Sequence, residues 1–91
     1  MKLYLLLRIA QDYAVGNKNF DWQFAMPREG EVLDFLTDSS GNSFKVLSVH
    51  YRVALGYVLV DCVVDGYDHL TPEEAKAIRD YLVENGFEDD E

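Results

Sequence analysis

Apolar and polar side chains alternate along three stretches of this chain, and along a fourth the apolar positions recur every third or fourth residue. In "FDWQFAM", Phe20, Trp22, Phe24 and Met26 point one way while Asp21, Gln23 and Ala25 point the other, the period of two that marks a half-buried strand. "FKVLSVHYRV" places Leu47, Val49, Tyr51 and Val53 on one face and Ser48, His50 and Arg52 on the other. "YVLVDCVV" places Val58, Val60, Cys62 and Val64 on one face with Asp61 opposite. Between these last two, "ALG" with Gly56 at its end suits a short hairpin loop that needs one left-handed residue. The opening "KLYLLLRI", residues 2 to 9, is apolar but too short for a stable helix and has no cap before it, so it predicts an N-terminal strand.

Turn formers fill the intervals. "AQDYAVGNKN" predicts a first loop around Gly16 and Asn17. Pro27 lacks the N–H a ladder needs and ends the strand before it, and Gly30 permits a tight bend. "EVLDFL" at 31–36 predicts a further strand, followed by a loop in "TDSSGNS".

The helical pattern comes late. Thr71 is the predicted N-cap, Pro72 occupies the first helical position, and Glu74 completes a capping box, with Leu70 placed to staple onto Ala75. Gly86 fits the left-handed residue that closes a helix, and Phe87 beyond it can meet Leu82. Ala75, Ile78 and Leu82 share one stripe, which predicts packing onto the sheet. The expected fold is therefore α+β: a small antiparallel sheet of about five strands, curled into a partly open SH3-like barrel, with one C-terminal helix packed on it. A single domain over residues 1–87 and an acidic tail at 88–91 complete the expectation.

Charge changes the picture of the last third only. Residues 1–60 hold six acids and six bases, whereas Asp61 to Glu91 hold eleven carboxylates against Lys76 and Arg79, so the net −9 lies entirely there. Glu73, Asp80 and Glu84 project within about 40° of one another on the helix face opposite the apolar stripe, about 10 Å and 6 Å apart along the axis. That spacing is near the interval between successive phosphates of a nucleic-acid backbone. The stripe runs on into Glu88, Asp89 and Asp90.

Candidate chemistry is sparse. "DGYDHLTPEE" gathers Asp65, Asp68, His69 and Glu73, but Gly66 directly after Asp65 breaks the calcium-loop pattern, and a zinc site wants more His or Cys. Those acids are accounted for by a helix N-terminus, whose dipole favours them. Cys62, mid-strand among valines, makes a poor nucleophile, and Ser48 with His50 at i and i+2 carries no third partner in sequence. No phosphate loop or dinucleotide fingerprint is present, so neither an enzyme nor a cofactor or metal is expected. Phe20, Trp22 and Phe24 resemble a base-stacking platform, yet they lack the Lys and Arg such platforms carry, so direct nucleic-acid binding is not expected.

The apolar run Leu3 to Leu7 is too short for a secretory leader, no stretch is long enough to span a membrane, and the one cysteine has no intramolecular partner. A cytoplasmic location is the expectation. The functional expectation is a small acidic protein-binding module that inhibits or antagonises a basic nucleic-acid-handling protein, a type similar to the anti-defence proteins of phages and mobile elements and to immunity proteins. Its partner-binding candidates are Glu73, Asp80, Glu84, Glu88, Asp89 and Asp90. The alternative is an assembly protein that forms a homodimer or joins a complex through its aromatic strand face, Phe20 and Trp22 in particular.

Overall fold

The structure is a computed structural model that describes residues 2–10, 13–34, 43–64 and 69–90. The chain runs β1 (Lys2–Ala10), β2 (Tyr13–Asp21), β3 (Val32–Leu33), β4 (Phe44–Arg52), β5 (Tyr57–Val64), α1 (Pro72–Glu84) and β6 (Glu88–Asp90). One curled sheet forms a half-barrel in the order β3-β4-β5-β1-β2-β6, and α1 lies over β1, β2 and β6. The expected α+β architecture, a curled sheet with one C-terminal helix, is what the chain adopts.

β1 occupies the centre because its alternate residues are all large and apolar. Leu3, Leu5, Leu7 and Ile9 are fully buried. They join Val15 of β2, Phe44 and Val46 of β4, Val60, Cys62 and Val64 of β5, and Ile78 and Leu82 of α1 in one core that also takes in Trp22 and Phe87. Among the described residues that core contains no buried polar or charged side chain.

The sheet is mixed, not all antiparallel, and has six strands instead of about five. β1 pairs in parallel with β5, Leu3 opposite Val58 through Arg8 opposite Val63, and antiparallel with β2. β6 pairs antiparallel with β2, so it runs in the direction of β5, and β5–α1–β6 is a crossover that strides over β1 and β2.

The segment expected as the first loop, from Tyr13 onward, is β2, whereas "FDWQFAM" is not a strand beyond Asp21. Both differences have specific causes. β2 tolerates Gly16 because the Tyr4 ring lies against it: a Cβ added there would stand 2.9 Å from Tyr4 Cε1. Its polar Lys18 and Asn19 are accommodated where the β1 register skips from Leu3–Phe20 to Leu5–Asn17. Beyond Asp21 the Trp22 Nε1–H donates to the Ala25 carbonyl at 2.9 Å, folding the backbone into a turn that leaves the ladder.

Of the strand expected at 31–36, Val32–Leu33 is formed, pairing with Lys45 and Phe44; residues 35 and 36 lie outside the described residues, as do residues 65–68 and the loop expected through residue 42. In β4 the expected alternation breaks at Leu47, because the register moves from Val46–Cys62 to Ser48–Asp61 and Leu47 bulges outward. Leu47, Tyr51 and Val53, expected to share a face with Val49, are exposed. The hairpin forms as expected: residues 53–55 make a 3-10 turn and Gly56 takes φ 77°, its N–H donating to the Arg52 carbonyl at 2.8 Å.

Both ends of α1 follow local chemistry. Glu74 N–H donates to Thr71 Oγ1, and Thr71 N–H to Glu74 Oε1, each at 3.1 Å, a complete capping box. At the other end Gly86 has φ 97°, with Phe87 N–H donating to the Leu82 carbonyl at 3.1 Å and Gly86 N–H to Val83 at 3.3 Å, the Schellman arrangement. The chirality of that turn returns the chain toward β2. Glu88, Asp89 and Asp90, expected as a tail, are thereby laid down as β6 opposite Gly16, Val15 and Ala14. No helix among the described residues is long and apolar enough to cross a membrane.

Candidate interaction surfaces

Two surfaces emerge, one acidic and one aromatic. On the first, Glu73 and Glu84 are exposed on α1 and Glu88 is exposed on β6. Asp80 is half-buried and shares Arg79 with Asp89: Arg79 Nη1 donates to Asp80 at 3.0 Å, while Nη2 and Nε donate to the two Asp89 oxygens at 2.6 and 3.1 Å. The face opposite the apolar stripe is therefore not uniformly free carboxylate. One guanidinium clamps α1 to β6 and offsets two of its charges.

That pairing was hidden in the sequence by assigning Asp89 to a tail. The signal was present in the Gly86–Phe87 helix stop, which turns residue 88 back beside the helix. The hydrogen bonds from Arg79, and then the cation itself, hold the Asp89 carboxyl below its ordinary value, and both acids raise Arg79. Burial raises the nearby Tyr13 phenol, against the opposing pull of Arg79.

A pH dependence follows from the lowered Asp89 value. The clamp contributes stability while pH stays above the ordinary carboxylate range, about 4, and that contribution is lost as pH falls through the lower folded value. Protection of the amides hydrogen-bonded between β2 and β6, measured against the intrinsic exchange rate at each pH, is expected to fall in acid. Asp89→Asn should bring the lower protection to neutral pH and flatten its pH dependence; unchanged protection in that variant would mean the ladder alone holds β6.

The second surface starts inside the molecule. Phe87, Phe20, Trp22 and Phe24 form a chain of ring contacts with centroids 6.0, 6.2 and 5.6 Å apart, leading from the core to solvent. Trp22 is only 9% exposed and Phe20 half-buried, so the pair chosen from the strand pattern belongs mainly to the core. Phe24, at 76% exposure, and Val32 are the residues that meet water, and with Leu33, Asp21 and Asp34 they line a groove of about 540 Å³.

Other sequence candidates are also placed. Ser48 Oγ lies 2.9 Å from His50 Nε2, but on an open face, and Asp61, opposite Ser48 in the ladder, is held by Arg8 through bonds of 2.8 and 3.1 Å. Burial, aided by the adjacent Asp61 charge, pushes the Cys62 thiol up to about 12, which leaves it protonated and unreactive at neutral pH. Among the described residues no group of three or more His, Cys, Asp or Glu is arranged to hold a metal ion, and Asp65 and Asp68 lie outside them. Comparison with protein-family models, with curated proteins and with solved structures finds no match.

Proposed function

We propose that this protein is a binding module whose acidic α1–β6 surface docks on a basic protein that handles nucleic acid, and that it inhibits or shields that partner. The observation that supports this reading is the fixed placement of like charges. Glu73 and Glu84 stand on a helix capped at both ends, and Glu88 stands on a paired strand tied to that helix through Arg79. Carboxylates held in place despite mutual repulsion present a preorganised field, which steers a basic partner and adds mainly to association rate. Asp80 and Asp89 extend the surface, although both act through Arg79.

The test compares the full chain with a Glu73→Gln, Glu84→Gln, Glu88→Gln variant, each immobilised and exposed to host lysate at low and high salt. A basic nucleic-acid-handling protein retained by the native chain, lost at high salt and lost from the variant is the expected result. With that partner purified, association should slow by about tenfold or more in the variant while dissociation changes less. Equal capture by both chains would reduce the acids to a solvated face.

A second reading, self-assembly through the aromatic face, is favoured by the exposure of Phe24 and Val32 at the groove. It does not depend on the acidic surface.

A further inference from the structure

A polar cavity lies between the middle of β2 and the helix stop. The Tyr4 ring forms part of it, lying against Gly16, where a Cβ would stand 2.9 Å from Tyr4 Cε1. The β1–β2 register slips between Leu3–Phe20 and Leu5–Asn17, so β2 carries one extra residue there, and Lys18 stands over Tyr4 with its Nζ 5.8 Å from the ring centroid. Asn17 Oδ1 accepts from the Asn19 N–H at 3.0 Å, which orients the Asn17 amide beside Gly86. Across the cavity stands Glu88 of β6, the register partner of Gly16. The space is about 400 Å³, room for a molecule at the small end of the ligand range of roughly 300–1,000 Å³.

Lys18 and Glu88 bring opposite charges to this one cavity without pairing with each other, and neither takes part in an ion pair among the described residues. Asp89, which also borders it, has its carboxylate taken up by Arg79. We propose that the cavity binds a zwitterion, a free α-amino acid, with its carboxylate on Lys18 and its ammonium on Glu88. A simple anion placed there would face Glu88, and a simple cation would face Lys18. A compact molecule carrying both signs satisfies each charge through a charge-assisted hydrogen bond. The Asn17 amide adds a neutral hydrogen-bonding group, and the contact with Tyr4 holds Lys18 in place before the ligand arrives. This inference does not depend on docking of a basic partner, although Glu88 belongs to both surfaces.

The test titrates the isotope-labelled full chain with glycine, L-serine, L-glutamine and L-leucine, followed by amide chemical shifts. Saturable shifts centred on residues 16–19 and 86–88, with at least one of the four binding in the millimolar range or tighter, are expected. The N-acetylated and carboxamide forms of that amino acid should bind about tenfold or more weakly, because each leaves one charge of the cavity without a partner. Lys18→Met keeps a side chain over Tyr4, removes the ammonium and leaves the α1–β6 acids in place. It and Glu88→Gln should each weaken binding by a similar factor, and both positions are exposed, so circular dichroism should stay native. No saturable shift with any of the four would overturn the site. Equal binding of the blocked forms, or unchanged binding by both variants, would overturn the zwitterion as its ligand. Lys18→Met should still capture a basic partner, so either reading can fail without the other.

Discussion

Trp22→Ala is expected to destabilise the protein by about 3–5 kcal/mol, the cost of a cavity at a buried aromatic. The indole is 9% exposed, touches Phe20 and Phe24, and closes its turn through Ala25. Typical domains hold about 5–15 kcal/mol in all, and one this small lies near the lower end, so the variant should be partly unfolded at ambient temperature. Phe24→Ala, two residues on and mostly in water, should change stability by less than about 0.5 kcal/mol. Urea unfolding of the two variants followed by far-ultraviolet circular dichroism separates the roles. Equal costs would mean that the aromatic chain is a single docking face and not a core with one exposed end.

Leu82→Ala should cost about 2–5 kcal/mol, with a second effect that core positions on β1 do not share. Ile78 and Leu82 are the two buried residues of α1, so the helix is held to the sheet by a narrow contact. Leu82 also supplies the carbonyl that Phe87 N–H binds in the helix stop. Loss of its side chain loosens α1, and with it the Arg79 clamp and β6. The amides that join β2 to β6 should then exchange at free energies well below global unfolding. If those amides remain protected to the global limit, α1 and β6 are one cooperative unit with the rest of the sheet.

Legibility in the sequence followed the range of the interaction that shapes each element. α1 was readable to its caps because Thr71, Glu74, Gly86 and Phe87 act within a few residues of the ends they define. β1 and β5 were readable because their inward positions are filled by one kind of residue. β2 was not, since "GNKN" at its centre has turn chemistry and becomes part of a strand through β1 on one side and β6 on the other. The same holds for β6, three acids that no propensity would place in a sheet. Trp22 and Phe24 read as equivalent in an alternating pattern, and the turn closed by Trp22 Nε1 separates them. The carboxylates of α1 were visible by projection, while the offset of Asp80 and Asp89 by one arginine depends on a contact ten residues long.

The parallel pairing of β1 with β5 also sets an order of events. The most apolar strand of the sheet is the earliest in the chain, and its second neighbour arrives more than fifty residues later, opposite Leu3 at Val58. Until then β1 has only the polar β2 hairpin to shelter it. Closing so distant a contact carries an entropic cost that is recovered late, which slows folding relative to a sheet built from successive hairpins. A nascent or refolding chain therefore displays Leu3, Leu5 and Leu7 longest, and its aggregation on refolding should rise with concentration through this one strand.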